Sequence, residues 1–398
     1  MPPGPVGPTG RVTATQPGPT ALRERALGPD LARGAMLLFI ALANSHYFLR
    51  GSSVLGGFPQ DTGGVDRAVA WAIATFVDGR AFPMFGLLFG YGVAHIVGRQ
   101  TGTAWATRLL LWRRSVVLVV IGLADAMLFY VGDILAAYGV LLFLGVWAVR
   151  WKDRWLLGVA ALFFFLGALP SAGSMSTSSD APDASMLPPA LLGQFADRVP
   201  AALFVALLGP LGFVCPFLVG LWGGRRRVLE LPEQHRRLLT TTAVVGIGAA
   251  VLGAQPVALT LARVVETPPD DVLHRIGPLH DATGVLGGFG YAALIALLAV
   301  RLVPRAGRVT TALAATGQRS LTCYLCQSVV WATVFTPYLL DLSDTLTVTT
   351  TALLAVATWL ASVLLADRLR RSGHRGPFEL LIRRVTYGGG VGRGSPKG

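Results

Sequence analysis

Residues 29–49, PDLARGAMLLFIALANSHYFL, decide how the rest of the chain is interpreted. Arg33 stands at the start of an apolar run, and the run then carries Asn44 and His46 into a segment that should lie in lipid. Polar side chains at membrane depth are costly unless they have partners, so they indicate either a functional site or a helix-packing contact. The stretch therefore predicts a membrane helix whose polar residues face protein.

The composition is that of a membrane protein. Of 398 residues, 53% are apolar and only 14% are charged, and apolar runs of about 17 to 25 residues recur along the chain. A net charge of +13 in a soluble protein would suggest nucleic-acid binding, but here the basic residues fall in short clusters between apolar runs. That distribution sets membrane topology, so we expect no nucleic-acid partner.

The expected fold class is all-α, a polytopic membrane helix bundle of about ten transmembrane spans. An amphipathic segment at about 65–77 should lie in the interface or against the bundle. Residues 170–199, rich in Ser, Asp and Pro, predict one long extracytoplasmic loop, either disordered or a lid. The apolar runs lie at about 34–50, 81–97, 109–129, 132–149, 154–169, 200–222, 238–262, 279–301, 320–340 and 347–366.

The predicted bundle spans residues 29–375, and the segments that flank it are of two kinds. Residues 1–28 are rich in Pro and Gly and predict a disordered cytoplasmic arm, and residues 389–398 a disordered tail. Residues 376–388 have an apolar side and predict a cytoplasmic interfacial helix. Within that helix Glu379 and Arg383 are spaced for an i, i+4 ion pair.

The basic residues predict the side of the membrane on which each loop lies. With a cytoplasmic N-terminus, most of the 34 lysines and arginines fall in inside segments; those left outside are Arg50, Arg67, Arg80, Arg198, Arg263 and Arg275. The positive-inside rule therefore predicts an even span number and two cytoplasmic termini, in the plasma membrane. Anionic lipids of the cytoplasmic leaflet are the partners expected for the basic loops.

The cysteines do not predict a metal or disulfide site. Cys215, Cys323 and Cys326 all lie within apolar stretches, without zinc-ligand spacing. We interpret them as packing residues, and no metal is expected.

Several polar residues in and beside the first two predicted spans are candidates for a site. Arg33 and Asn44 are eleven positions apart and share one helix face, while His46 points to nearly the opposite side if the helix is regular. The alternative is that Asn44 is an interhelical hydrogen-bond donor and His46 an interface residue. Asp78 and Arg80 could form an ion pair at the outer rim, as a structural clamp or a substrate contact.

Three further groups flank predicted span ends. Asp125 and Asp133 could share a proton and titrate as a pair, although Asp133 is also well placed as a helix N-cap. His280 and Asp281 could orient one another or a substrate, or could cap a helix. In the ninth run a polar stripe must face protein or water; it comprises Ser320, Tyr324, Gln327 and Ser328.

Five short motifs carry a family resemblance. The motifs are Asp30–Gly34 (DLARG), Phe85–Gly92 (FGLLFGYG), Gly132–Leu135 (GDIL), Gly317–Tyr324 (GQRSLTCY) followed by Gln327–Ser328, and Gly376–Glu379 (GPFE) continuing to Thr386–Gly388 (TYG). In these motifs, over residues 29–388, the chain resembles the YeiB-like membrane family catalogued as domain of unknown function 418.

That family in turn resembles a wider group of integral membrane acyltransferases, which includes acyltransferase family 3. Its members move an acyl group from a cytoplasmic donor to an acceptor, often a sugar, at the outer face. Their first span carries an arginine and, eleven residues later, a histidine; here Arg33 matches the arginine and Asn44 occupies the histidine position. The resemblance implies acyl-CoA as the donor and a small-molecule, sugar or lipid acceptor.

An amide cannot take a proton, so acyl transfer would need a base other than Asn44. Outer-side position makes His46, His280, Asp125, Asp133 and Asp281 the candidates, of which His46 and Asp125 are the catalytic residues we predict. The predicted substrate-binding residues are Arg33, Asn44, Asp78, Arg80, Asp133, His280, Asp281, Tyr324 and Gln327. Two other functions remain open at this point: a transporter or flippase-like carrier, and a non-catalytic envelope protein.

Overall fold

The computed structural model describes residues 27–171, 177–178, 182–302 and 307–387. The predicted disordered tail, and the predicted arm apart from Leu27 and Gly28, lie outside the described residues. Leu27 and Gly28 belong to the first helix.

Helices account for most of the described residues and strands are very short, which confirms the all-α class. Three two-residue strands, β1 (Val54–Leu55), β2 (Phe58–Pro59) and β3 (Thr177–Ser178), pair antiparallel in the order β2-β1-β3. The helices are α1 (Leu27–Ser45), α2 (Gly64–Phe76), α3 (Ala81–Gly98), α4 (Ala104–Leu128), α5 (Leu135–Gly145), α6 (Asp153–Gly167), α7 (Gln194–Arg225), α8 (Arg236–Leu261), α9 (Asp270–Leu302), α10 (Arg308–Gln318), α11 (Ser320–Phe335), α12 (Val348–Arg371) and α13 (Pro377–Tyr387).

Several of these helices could cross a membrane. By length and composition, the qualifying segments of the described chain are Gly64–Gly98, which joins α2 and α3, together with α7, α8, α9 and α12. The segment 65–77, predicted as amphipathic, is α2, and it leans against α8 and α12. The indole N–H of Trp71 on α2 donates to the Gln255 side chain of α8 at 3.2 Å.

Two helices are shorter than the apolar runs that predicted them. α5 has 11 residues rather than the run 132–149, and α11 has 16 rather than 320–340. At 1.5 Å per residue α5 is about 16 Å long, roughly half the hydrocarbon thickness of a bilayer. α11 ends where Thr336 becomes extended, since the residue before Pro337 disfavours helical backbone. Both helices must therefore be buried partly by protein.

The predicted loop 170–199 is partly structured. α7 begins at Gln194, so the loop ends before residue 199. Residues Thr177–Ser178 form β3 and pair with β1, which belongs to the segment between α1 and α2. The loop is thus attached to the same end of the bundle as the end of α1.

Segments predicted for one side of the membrane contact each other at one end of the bundle. At the end we call the acidic end, Arg50 bonds Asp344 at 2.7 Å, and the Thr349 N–H bonds Asp66 at 2.8 Å. The opposite end, the basic end, brings together the start of α1, the α3–α4 turn, the α7–α8 loop and α13 around one cavity.

Glycines allow α3 and α7 to pack with their backbones in contact. A Cβ at Gly90 would collide with the Phe217 carbonyl, one at Gly220 with the Leu87 carbonyl, and one at Gly86 would lie 3.0 Å from Pro216. The small-residue spacing in the second predicted span is therefore a helix-packing surface.

We expect Gly90→Ala to destabilise the protein by roughly 1–3 kcal/mol, because the added methyl group must push two helix backbones apart. The measurement is the thermal denaturation midpoint of purified protein in detergent. Gly212→Ala is the control, since a Cβ there has no neighbour within 4 Å among the described atoms. Equal midpoints for the two variants would contradict the proposed packing.

Candidate functional site

A cavity of about 1020 Å³ lies at the basic end of the bundle. α1, α3, α11 and α13 supply its walls, and the α7–α8 loop contributes to its mouth. Along α1 the lining residues extend as far as Met36, and Leu135 and Tyr138 of α5 also line it. The cavity therefore extends well into the bundle.

The cavity wall carries an excess of positive charge. Its carboxylates are Asp30, Glu230 and Glu379, and its guanidinium groups belong to Arg33, Arg99, Arg114, Arg225, Arg227, Arg319, Arg375 and Arg383. A basic concave surface concentrates field lines and attracts anions. Because guanidinium groups bind phosphate and carboxylate oxygens in pairs, this wall suits a ligand with several negative charges.

All five sequence motifs contribute residues to this cavity. The first supplies Arg33, the second Phe85, Leu88, Phe89, Tyr91 and Gly92, the third Leu135, the fourth Gly317–Leu321 and Tyr324, and the last Glu379 and Tyr387. These segments are up to about 350 residues apart in the sequence. The cavity is thus the place where the motifs of the resemblance converge.

Arg33 is held at the cavity by a hydrogen bond to α3 and by an ion pair within α1. Its Nη2 donates to the Leu88 carbonyl of α3 at 3.2 Å, and its Nη1 lies 3.4 Å from Asp30. Asp30 also accepts a 2.9 Å hydrogen bond from Gln318 of α10. Gly317 packs directly on the Asp30 carbonyl, where a Cβ would not fit. The start of α1 is therefore fixed to the end of α10.

The C-terminal helix α13, predicted as an interfacial helix, contributes residues to the cavity wall. It packs against α4 and α11 with Ile382 and Thr386 buried. The predicted i, i+4 ion pair between Glu379 and Arg383 does not form among the described contacts. Glu379 instead accepts hydrogen bonds from the N–H groups of Leu321 and Thr322 at 2.9 and 3.1 Å, at the first turn of α11. A helix N-terminus leaves such N–H groups without partners and favours negative charge.

A compact ion cluster stands at the mouth of the cavity. Glu230 lies 2.8 Å from Nε2 of His95 and accepts a 2.7 Å hydrogen bond from Arg227. Burial would raise the pKa of the Glu230 carboxyl, but the His95 ring and the Arg227 guanidinium outweigh burial and hold the pKa below its usual value. Glu230 therefore stays charged and neutralises part of the basic mouth.

At the inner end of the cavity, Tyr324 links α11 to the start of α5. Its hydroxyl lies 3.5 Å from the Ile134 nitrogen and interacts with the Asp133 carboxylate. Asp133 accepts hydrogen bonds from the N–H groups of Leu135 and Ala136 at 2.9 and 3.4 Å, so its N-cap contact is confirmed. Gln327 lies elsewhere, since its amide donates to the Leu37 carbonyl of α1 at 3.1 Å.

Asn44 and His46 are both buried, 4% and 1% exposed, and neither is among the described residues that line the cavity. The expectation that Arg33 and Asn44 face one cavity is therefore wrong for Asn44. The helix is also not regular at its outer end, because α1 ends at Ser45 and His46 begins a 3-10 turn. His46 stacks on the Phe58 ring, 3.8 Å between centroids, beneath the small sheet.

The acidic end of the bundle brings together five of the predicted residues, which we call the outer cluster: His46, Asp78, Arg80, His280 and Asp281. Nε2 of His46 lies 3.7 Å from Oδ2 of Asp78. Nδ1 of His280 lies 3.3 Å from Asp281. The cluster joins the end of α1, the α2–α3 turn and α9.

Arg80 does not form the predicted ion pair with the Asp78 carboxylate. Its guanidinium donates to the main-chain carbonyl of Asp78, to the Ala250 carbonyl at 2.6 Å, and lies 2.8 Å from Nε2 of His280. The side chain is fully buried. Arg80 therefore joins α3, α8 and α9, which supports the structural-clamp interpretation with different partners.

Sequence reasoning missed Arg198, which it assigned to an outer loop. The residue lies in α7, is 1% exposed, and donates to the carbonyls of Met127 and Phe129 at 3.2 and 3.3 Å. It also bonds Gln194 at 3.1 Å and interacts electrostatically with Asp125. The Gln194–Arg198 spacing of four residues was the available signal, because it predicts a shared helix face.

This fold and cavity define a helical protein with membrane-spanning segments and a basic interior cavity. Residues 223–389 match a family described as protein of unknown function (DUF418). Nearly the whole chain is also similar to the uncharacterized protein YxaH of Bacillus subtilis (strain 168), with 26% identity over 408 residues that cover 93% of this chain and 96% of the relative. Both findings support the resemblance to the domain of unknown function 418 family that the motifs predicted.

We expect Glu379→Gln to loosen α13, because the amide cannot replace the charge at the N-terminus of α11. The loss should be about 1–2 kcal/mol, seen as a lower denaturation midpoint and faster proteolysis between α12 and α13. Glu233→Gln, in the exposed α7–α8 loop, is the control. An unchanged cleavage rate in Glu379→Gln would show that this contact does not hold the helix.

Proposed function

We propose that the protein is a membrane acyltransferase that takes an acyl-CoA donor into the basic cavity and transfers the acyl group to an acceptor hydroxyl at the acidic end. The observation that carries the proposal is the cavity of about 1020 Å³, whose wall has eight guanidinium groups and receives residues from all five motifs. Coenzyme A carries several phosphate charges, which match such a wall in charge and geometry. Ligand cavities typically have volumes of about 300–1,000 Å³.

His46 is the base that we propose for this reaction. An imidazole beside a carboxylate is the usual arrangement for a general base, because the carboxylate orients the ring and stabilises its protonated form. Asp78 occupies that place, 3.7 Å from Nε2 of His46. The ring nitrogens of His46 have no hydrogen-bond partner among the described residues, so the ring can accept a proton from an incoming hydroxyl.

The reaction balances without another reactant. The acceptor oxygen attacks the thioester carbonyl carbon, a C–O bond forms, and the C–S bond breaks. The hydroxyl proton passes to His46 and then to the thiolate that leaves. Met36, the furthest cavity residue along α1, precedes His46 by ten residues, or about 15 Å of helix. The acyl donor and the acceptor must therefore meet in the region between Met36 and His46.

A second candidate function is a carrier for an anionic substrate. The observation that favours it is that two carboxylates, Asp125 and Asp133, are buried within the predicted membrane segments 109–129 and 132–149. Ionisable residues within membrane segments commonly belong to transport pathways. This function uses the same cavity but breaks no thioester bond.

Labelled acetyl-CoA tests the two functions with purified protein in liposomes. Label on an acceptor or on the protein supports acyl transfer, and label that crosses the membrane still attached to CoA supports the carrier. If the donor binds but neither of these results is observed, acyl transfer loses its support.

Arg383 and Arg384 provide a matched pair for donor binding. Arg383 lines the cavity, whereas its neighbour Arg384 is exposed and is not among the lining residues. Loss of one charge-assisted bond to phosphate costs about 1.5 kcal/mol, so Arg383→Gln should weaken CoA binding roughly tenfold by isothermal titration calorimetry. Arg384→Gln should bind as the wild type does. Equal weakening in both variants would refute a specific phosphate site on α13.

His46→Gln should lower the transfer rate by about 10²- to 10⁴-fold while CoA binding is unchanged, because the amide cannot take a proton. The matched control is His274→Gln, a half-buried histidine nearer the N-terminus of the same α9 that carries His280. If His46→Gln retains the full rate in the labelled assay, the base is another residue.

A further inference from the structure

Asp125 is a buried carboxyl group without hydrogen-bond partners. It lies on α4 and is 3% exposed, and neither of its oxygens has a partner among the described residues. Ser328 of α11 faces it, but not in hydrogen-bond geometry. An ionised carboxylate in such surroundings is far less stable than the neutral acid. The site therefore needs something that supplies positive charge.

Asp133 is the second carboxyl group of this site. Its Oδ2 accepts the two N–H groups at the start of α5, while its Oδ1 has no partner in the described part of the chain. Hydrogen bonds from N–H groups favour the charged form of a carboxylate. The charges of Asp125 and Asp133 repel one another, so the two groups do not ionise independently.

One guanidinium group faces the pair from α7. Arg198 interacts electrostatically with Asp125, but its hydrogen bonds go to the carbonyls of Met127, Phe129 and Ser185 and to the Gln194 side chain. The other titratable groups that face the carboxylates are the hydroxyls of Tyr130 and Tyr324. Two carboxylates and one guanidinium leave a single negative charge inside the bundle. One proton neutralises this charge and needs no coordination shell.

We propose that Asp125 and Asp133 form a buried proton-binding site, which holds one proton between the two carboxyl groups and exchanges it with the basic cavity through Tyr324. The proton resides on Asp125, because Asp133 is the carboxylate that the α5 N–H groups stabilise in its charged form. The Ser328 hydroxyl faces Asp125 and is an acceptor toward which the acid hydrogen can turn.

Tyr324 gives the site its connection to the cavity. Tyr324 lines the cavity, and its hydroxyl interacts with the Asp133 carboxyl group. A hydroxyl both donates and accepts, so it can pass a proton between water in the cavity and the carboxyl pair. The site is independent of acyl transfer, since it needs no acyl donor.

Infrared difference spectroscopy of the full chain in lipid nanodiscs tests the proposal. At neutral pH the wild type should show the carbonyl stretch of a protonated carboxylic acid, which shifts in D₂O. Asp125→Asn should remove the band. Asp133→Asn should remove it as well, because Asp125 then ionises beside Arg198 without repulsion. Asp344→Asn, at the exposed acidic end, should leave it unchanged.

Asp125→Glu is the control for a folding defect, because it should shift the frequency of the band and not remove it. A band that is absent from the wild type, or unchanged in Asp125→Asn, overturns the site. If the band appears only when NaCl is replaced by choline chloride, a sodium ion neutralises the carboxyl pair in NaCl. That result overturns the proposal of a bound proton. Tyr324→Phe should keep the band and slow its exchange in D₂O, and an unchanged exchange rate overturns the route through Tyr324.

Discussion

A polar group inside an apolar bundle must find its partner within the protein, and three buried guanidinium groups show how this chain meets that requirement. Arg80, Arg198 and Arg319 are each almost fully buried, and each donates to main-chain carbonyls of more than one segment. Helix ends leave carbonyls without partners. A guanidinium group with five N–H donors can therefore form hydrogen bonds to several chain segments at once. These three residues stand at the outer cluster, beside the carboxyl pair and at the cavity.

The short helices explain why such a bundle has room for a cavity. α5 begins beside Asp133 in the interior, and α11 begins at Ser320 in the cavity wall. Helices that begin or end within the membrane present unpaired N–H groups to the interior, and polar ligands bind at such places in many membrane proteins. Here the free N–H groups are satisfied by Asp133 and Glu379. The two carboxylates thus connect the shape of the bundle to its charge.

Hydrophobic pattern predicted most helices because long apolar runs leave few alternatives, and α3 and α8 lie within two residues of their runs. The pattern missed α10, because its sequence RVTTALAATGQ has no long apolar run. It also overestimated the lengths of α5 and α11, since an apolar residue can face lipid or protein equally well. Among site residues, Arg33 and Tyr324 were found at the cavity through motifs. The residues of the outer cluster were predicted one by one, but their association was not. His46 and Asp78 meet only after the chain folds, and pairs such as Arg80 and His280 are 200 residues apart.

The first and last helices that the structure describes share one cavity wall, with Arg33 on α1 and Glu379 on α13. During synthesis α1 leaves the ribosome long before residues 377–387 do. The docking surface for α13 on α4 and α11 then stays uncovered on the nascent chain. The cavity wall is therefore complete only after α13 has docked.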